Sequence, residues 1–377
     1  MGTVSAPATP DAARAGPPAS RTPEILVRRG LLLVAAAAAL SAAFAGLARV
    51  GFDVAWGPSF AGSHGALFVL AVFGTVISLE RAVALGGWAG LLAPGLSAAA
   101  AVLMLAGVPG ASWVAAASAL ALAGINAIMV KRQPAPFTWL MLLGAGTLVV
   151  GDVAWALSQP AFAVVPAWVG FFVLTIVAER LELSRLAPTP RWAARVLVVV
   201  ATVFAAAACA SLTARELALP VLGVSMAALG LWQLRFDLSR YTVRQRGLPR
   251  FSAVGVLSGA LWLVAGGALF AIPGLPVAGP RNEAALHTVF VGYVLSMVFA
   301  HAPITLSSVA RVRLVFHPAL YLGLLALHAS LLVRVLGSLV ESAALRHWGA
   351  LANALALVVF ALAVVWARLS SRRPISP

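Results

Sequence analysis

The chain has 377 residues, of which 62% are hydrophobic and 10% are charged, and its mean hydropathy is +1.00. This composition excludes a water-soluble globular protein, because so apolar a chain has too few polar side chains to cover a soluble surface. The formal net charge of +15 does not indicate nucleic-acid binding, since the basic residues lie in short loops between apolar runs. We therefore expect an all-α polytopic integral membrane protein. Its expected partners are the lipid bilayer and, for the basic loops, anionic lipids of the inner leaflet.

Composition divides the chain into three regions. Residues 1–25 are rich in Pro, Ala, Gly and Ser without periodicity, which predicts a disordered cytoplasmic tail. We expect residues 26–369 to form a single transmembrane helical domain and residues 370–377 to form a short cytoplasmic tail. The single cysteine, Cys209, excludes an internal disulfide and a multi-cysteine metal site.

Apolar runs of helix-spanning length recur along the whole domain. A bilayer core about 30 Å thick needs roughly 20 apolar residues for each helical crossing, and Pro and Gly residues separate the runs. The twelve predicted helices, numbered 1 to 12, span residues 30–49, 63–84, 88–107, 111–130, 136–157, 161–179, 192–212, 216–234, 252–272, 284–303, 314–335 and 346–367.

The basic residues are distributed unequally between the two sides of this predicted bundle. Twenty-one of the 26 fall on the side of the N-terminal tail. The five on the opposite side are Arg49, Arg215, Arg281, Arg334 and Arg346. Because cytoplasmic loops carry an excess of Lys and Arg, both termini are predicted to be cytoplasmic. Lys131 is the only lysine, a bias typical of GC-rich bacteria, so we expect a bacterial cytoplasmic membrane.

Histidines are the candidate cofactor ligands of this chain. A polar side chain at membrane depth is costly and is a functional candidate by default, and neutral imidazole is a strong axial ligand of haem iron. By the predicted topology, His64 and His287 open helices 2 and 10 at the outer face, and His347 opens helix 12 there. His64 and His287 are the candidate metal ligands.

Helices 10 and 11 each carry two histidines on one face. The spacing of 14 between His287 and His301 is close to four turns, and the spacing of 11 between His317 and His328 is close to three. Because the two helices run antiparallel, His287 is expected at the level of His328, which lies about two-thirds of the way outward. His301 is expected at the level of His317. All four are candidate cofactor-binding residues. The alternative is that rings near a helix end lie at the headgroup level, where they cost little.

Three helical segments have a distinctive sequence: SHGALFVLAVFGTVISLERAVAL at 63–85, FFVLTIVAERLELSRL at 171–186 and LHTVFVGYVLSMVFAHAPITL at 286–306. They resemble the NnrS-like family of bacterial membrane proteins. Twelve helices with a histidine near the outer ends of helices 2 and 10 also resemble subunit I of haem-copper oxidases. The resemblance implies a haem-copper oxidase subunit I-like bundle that binds haem b through His64 and His287, with copper as a second metal, in the response to nitric oxide. Helix 6 contains neither His nor Tyr and helix 7 contains no His, so we expect no oxygen reduction and assign no catalytic residue.

Charged residues recur at the inner ends of helices 2, 6 and 10. The tripeptides LER, AER and FAH end at Arg81, Arg180 and His301, a cadence that a pseudo-threefold arrangement would produce. Adjacent residues on a helix do not face each other, so Glu80 cannot pair with Arg81. Cross-pairs of Glu80 with Arg180, or of Glu179 with Arg81, are expected to join two helices.

Asp152 is the acidic residue most exposed to the cost of burial. It lies in the apolar run of helix 5, about five residues from the outer end. It either lines a polar cavity or proton path, or it reaches the membrane interface.

A secondary transporter is the alternative function, because twelve helices in two sets of six are also a common transporter plan. Two features of the sequence disfavour it. The longer and more basic loop, 235–251, joins helices 8 and 9, whereas such carriers usually have theirs between helices 6 and 7. Helices broken near the midplane by Pro or Gly pairs are not evident either.

Overall fold

The computed structural model describes residues 22–54, 61–312 and 314–370, which form helices, turns and loops without a strand among them. Twelve of these helices are long and apolar enough to cross a membrane, which confirms the predicted all-α, multi-pass architecture. They are α1 (Pro23–Arg49), α2 (Ala61–Leu85), α3 (Trp88–Leu105), α4 (Ala111–Arg132), α5 (Pro136–Ala156), α6 (Ala161–Ser184), α7 (Arg191–Ala210), α8 (Arg215–Phe236), α9 (Leu248–Ala271), α10 (Pro280–Val309), α11 (Leu320–Leu339) and α12 (Ala343–Ser370).

The ends of α1 and α12 differ from the predicted tails. α1 begins at Pro23, so the last residues of the predicted disordered tail are helical. Proline fits the first turn of a helix, and Glu24 forms an ion pair with Arg28 one turn further on. α12 continues to Ser370. The rest of the two predicted tails lies outside the described residues.

The boundaries of α11 were predicted wrongly. This helix begins at Leu320 and ends at Leu339, whereas the apolar pattern predicted 314–335. Pro318 explains the later start, because proline disfavours a helical conformation in the residue before it. As a consequence, His317 precedes the helix and does not share a helix face with His328.

α6 lies at the centre of the bundle. In its apolar segment 83% of the residues are buried, the largest share among the twelve helices. The ring of Phe172 on α6 packs edge-on against Phe73 of α2 and Phe290 of α10, with centroids 5.4 and 5.9 Å apart. The helices α2, α6 and α10 therefore meet in the interior.

Even-numbered helices begin at one end of the bundle and finish at the other. The start of α12 meets the end of α1 through His347 and Val50, and the C-terminal ends of α2 and α6 meet through Arg81 and Glu179. We call the end at which the even-numbered helices begin the His64 end, and the opposite end the Arg81 end.

Candidate functional site

A cavity of about 170 Å³ lies at the His64 end, between α1, α2, α6, α10, α11 and α12. His64, near the start of α2, and His287, in the second turn of α10, both line it. Its other walls are mainly apolar and include the rings of Phe68, Trp168 and Phe290. The structure therefore brings together the two histidines predicted as metal ligands.

The ring of His64 is held against α1. Its Nδ1 donates a hydrogen bond to the carbonyl oxygen of Ala42 at 2.6 Å, since a carbonyl can only accept. The ring also lies on Gly46, where an added Cβ atom would come within 2.6 Å of His64 Cε1. Its Nε2 has no hydrogen-bond partner within the described part of the chain.

His287 is held in the same chemical state by its own helix. Its Nδ1 donates to the carbonyl oxygen of Glu283, one turn earlier in α10, at 2.7 Å. Its Nε2 likewise has no hydrogen-bond partner among the residues that the structure describes. Histidines that ligate a metal almost always donate their other ring N–H in this way, because the hydrogen bond fixes the tautomer and the ring orientation. Both rings are thus prepared to ligate through Nε2.

Each of the two histidine-bearing helices contains a π-helical segment just after its histidine. The segment in α2 spans Leu67–Phe73, and that in α10 spans Thr288–Leu295. π-Helical turns are rare and occur frequently at functional sites. Residues from both segments line the cavity. The extra residue per turn changes which side chains face the cavity, so a period of 3.6 residues could not have revealed these walls.

Three arginines and one glutamate surround the opening of the cavity. Arg334 lines the cavity, and its Nε and Nη2 atoms donate to Glu283 Oε1 at 2.9 and 2.8 Å. Arg346 Nη1 lies 3.6 Å from Glu283 Oε2. Arg49 lines a neighbouring polar opening together with Arg346 and Glu283. Glu283 pairs with Arg334 and Arg346, and Arg49 donates to the carbonyl oxygen of Ala61 at 3.1 Å. Three guanidinium groups and one carboxylate leave an excess of positive charge here that suits an anionic group.

Sequence reasoning did not assign these arginines to the site. A signal was present, because Arg49, Arg334 and Arg346 are three of the five basic residues that depart from the predominant charge distribution. Their convergence at one opening gives a physical reason for that departure.

His301 belongs to a charged cluster at the Arg81 end and does not line the cavity. Its Nδ1 donates to a carbonyl of its own helix at 2.8 Å, and its Nε2 accepts from Arg180 Nη2 at 2.9 Å. Arg81 Nη2 lies 3.0 Å from Glu179 Oε1, so one of the two predicted cross-pairs is confirmed. The other is not formed among the described residues, because Arg180 binds His301. The cluster joins α2, α6 and α10.

His317 and His328 also lie away from the cavity, and their ring nitrogens face other groups. His317 Nδ1 accepts from the backbone N–H of Ala319 at 3.1 Å, and its Nε2 lies 3.3 Å from Trp366 Nε1; a neutral ring can accept at only one of these two nitrogens. His328 Nδ1 accepts from Trp262 Nε1 at 3.0 Å, and its Nε2 donates to a serine hydroxyl of α9 at 2.8 Å. Both nitrogens of His328 are thus hydrogen-bonded, and neither His317 nor His328 lines the cavity.

The predicted depth of His328 was wrong. Its Nε2 lies 3.4 Å from Ser296 Oγ, in the middle of α10. Nine residues of helix, about 13 Å, separate Ser296 from His287. Because α11 begins at Leu320, His328 follows after about two turns and does not reach the level of His287.

His347 fixes the start of α12 to the end of α1. Its Nδ1 donates to the carbonyl oxygen of Val50 at 2.9 Å, and its ring stacks on Phe52 with centroids 3.7 Å apart. These contacts explain the position of His347 without a bound ligand. Among the described residues, no group of three or more His, Cys, Asp or Glu side chains is arranged to hold a metal ion.

The comparisons with known proteins give a family. A family model described as a domain of unknown function (DUF8744) matches residues 28–369. The chain belongs to this family. The DUF8744 match runs from α1 into α12 and includes both cavity histidines and the three arginines of the opening. No curated protein and no solved structure matches the chain.

Proposed function

We propose that this protein is an NnrS-like membrane protein that binds haem b between His64 and His287. The observation that carries the proposal is the state of the two rings: each has Nδ1 held by a backbone carbonyl and Nε2 free, and both line one apolar cavity. Histidine is a common axial ligand of haem iron. The proposed role is haem-dependent, in the response to nitric oxide, and does not include oxygen reduction.

The walls of the cavity suit a porphyrin, but its size requires it to widen. Its volume of about 170 Å³ is below the about 300–1,000 Å³ of typical cofactor pockets, so the surrounding helices would have to move apart to admit the ring. Phe68 and Phe290 offer aromatic surfaces to a flat apolar ring. Arg334, with Arg49 nearby, offers positive charge for carboxylate groups such as haem propionates.

The ligand set favours haem over copper. Haem would supply one-electron chemistry when bound, and His64 and His287 would hold its iron. The residues of the chain hold the rings, exclude water through apolar walls and balance the charge at the opening. Copper sites commonly use three or more side-chain ligands, whereas this cavity presents two rings.

We also propose a haem-copper oxidase subunit I-like arrangement with both termini in the cytoplasm of a bacterium. The meeting of α2, α6 and α10 supports the arrangement, and the excess of basic residues at the Arg81 end supports the orientation. In a Cys209→Ala background, a cysteine introduced between α9 and α10 is expected to react with a membrane-impermeant maleimide added to intact cells. One introduced between α4 and α5 is expected to react only after lysis. The reverse pattern would refute the orientation.

The haem proposal is tested by spectroscopy of the purified protein. Protein from haem-replete cells, purified in detergent, is expected to give the pyridine haemochrome of haem b at about one haem per chain. Its reduced-minus-oxidised spectrum is expected to be that of a six-coordinate, low-spin haem. Colourless protein that also fails to bind added haemin would refute the proposal.

Gly46 provides a test of the site that leaves both ligands in place. In Gly46→Ala, the added Cβ would lie 2.6 Å from His64 Cε1 and 2.9 Å from Nδ1, so the ring must move away from Ala42. We expect haem affinity to fall at least about tenfold, equivalent to about 1.4 kcal/mol, in haemin titrations of the apoprotein. The matched control is Gly30→Ala on the same helix, where no atom lies within 4 Å of the added Cβ. Equal affinity of the two variants would contradict this account of the site.

A further inference from the structure

Asp152 lies directly behind one wall of the haem cavity. It is in the last turn of α5 at the His64 end, and it is 1% exposed. Its Oδ1 accepts a hydrogen bond of 2.8 Å from Trp168 Nε1, and the Trp168 side chain lines the cavity. The helices approach closely here, since a Cβ at Gly151 would lie 2.9 Å from Trp168 Cδ1. The indole ring of Trp168 thus separates the carboxyl group of Asp152 from the cavity and is hydrogen-bonded to that carboxyl group.

The surroundings of Asp152 offer no counter-charge. The residues beside it come from α2, α3, α4 and α6 and are apolar or hydroxyl-bearing, among them Leu70, Ser97, Ser118 and Trp168. Asp152 takes part in no ion pair within the described part of the chain. An unpaired carboxylate at membrane depth is costly. The hydrogen bond from Trp168 Nε1 is the polar side-chain contact that Asp152 makes among the described residues.

Beside the carboxyl group is a small chamber of about 10 Å³, lined by Asp152, Ser97 and Ser118. One water molecule needs a chamber of about 10–15 Å³, which is close to this size. Ser97 accepts a hydrogen bond from Thr75, and both serine hydroxyls donate to backbone carbonyls. The carboxyl oxygen that does not bind Trp168 has no hydrogen-bond partner among the described residues. This oxygen is therefore the place where a proton can be added.

We propose that Asp152 is a redox-linked proton-binding residue, coupled to the haem cavity through the indole of Trp168. The inference rests on the proposed haem function. Reduction of bound haem by one electron from an external donor would remove one positive charge from the cavity, and the carboxylate of Asp152 would take up one proton from a solvent hydronium ion. An O–H bond would form on Asp152 as an O–H bond of the hydronium ion breaks and releases water. Oxidation reverses both transfers. None of the helices packed around Asp152 presents another titratable group to it among the described residues, so this proton has no competing site nearby.

The test is the pH dependence of the haem midpoint potential in the full-length, haem-loaded protein. In the wild type, the potential is expected to fall as pH rises, by up to about 59 mV per pH unit, the one-electron equivalent of a tenfold change in proton concentration. Asp152→Asn keeps an oxygen that can accept from Trp168 but cannot bind a proton, and it is expected to lose this slope. Asp152→Glu is expected to retain it. The control is Glu182→Gln, which removes a half-exposed carboxyl group at the Arg81 end and is expected to leave the slope unchanged. A slope that persists in Asp152→Asn would overturn the proposal.

Two further measurements keep the result interpretable. If Asp152→Asn does not fold, Trp168→Phe replaces it, since phenylalanine keeps an aromatic wall but removes the N–H link, and its slope is expected to be smaller than in the wild type. An unchanged slope there would overturn the coupling. If the protein binds no haem, the haem proposal fails on its own, and infrared difference spectra still test Asp152 as a proton site. A protonated-carboxyl C=O band that titrates in the wild type is expected to be absent from Asp152→Asn, and its persistence would refute the assignment.

Discussion

Alanine in place of either His64 or His287 is expected to abolish haem binding by the purified protein. Each ring would supply one of the two proposed bonds to the iron, and no other described side chain of the cavity carries an imidazole. Loss of an outer hydrogen-bond partner of a ligand typically costs about 10–100-fold in metal affinity, so loss of a ligand is expected to cost at least about 100-fold. Haem content by pyridine haemochrome, normalised to folded protein, is the measurement.

Three controls separate ligation from general damage to the fold. His317→Ala and His328→Ala are expected to retain haem, because neither ring lines the cavity. In His64→Gly, imidazole added to the buffer is expected to restore the low-spin spectrum, which a purely structural role would not allow. Retention of haem in the His64→Ala, His287→Ala double variant would show that the ligands lie elsewhere.

The largest effect on stability is expected where α8 and α9 touch. A Cβ at Gly267 would lie 2.5 Å from the backbone nitrogen of Ala227 and 2.7 Å from the carbonyl oxygen of Gly223. Because the opposing atoms are backbone, they cannot rotate away, and the helices themselves must separate. Overpacking typically costs about 1–3 kcal/mol and occasionally more, so Gly267→Ala is expected to lower the unfolding midpoint in detergent and the yield of folded protein.

The matched control for this variant is Gly124→Ala on α4. No atom lies within 4 Å of the added Cβ at this exposed position, and alanine is favoured over glycine within a helix by roughly 0.5–1 kcal/mol. Its unfolding midpoint is expected to equal or exceed that of the wild type. Unchanged stability of Gly267→Ala would mean that α8 and α9 do not approach as closely as the structure shows.

The helices were predictable because each crossing must satisfy its own backbone hydrogen bonds in lipid. That requirement makes the length of an apolar run and the proline and glycine between runs sufficient to count them. α11 shows the limit of the pattern. Its apolar character begins well before Leu320, but Pro318 delays the start of the helix. As a result, His328 does not lie at the predicted level of His287, and His317 lies outside the helix. Proline chemistry outweighed hydropathy at that point.

The contact between Arg81 and Glu179 was also predictable in outline. A charged residue that is partly removed from water is costly without a partner, so charged residues at the ends of neighbouring helices are expected to pair. Which of the two predicted pairs forms could not be known, because Arg180 has a choice between Glu80 and His301. The packing of α10 against α6 brings His301 within 2.9 Å of Arg180.

Hydropathy and loop composition were thus enough for the number of helices and for the expectation that His64 and His287 lie at one end of the bundle. Both depend on the preference of a single segment for lipid or water, which is a local property. The shared cavity of these two rings depends on how far each helix is rotated about its axis. That rotation follows from contacts between distant residues, such as His64 on Gly46 and Trp168 on Asp152, and from two π-helical segments. Each such contact is weak, and their sum is defined only when the whole bundle is packed.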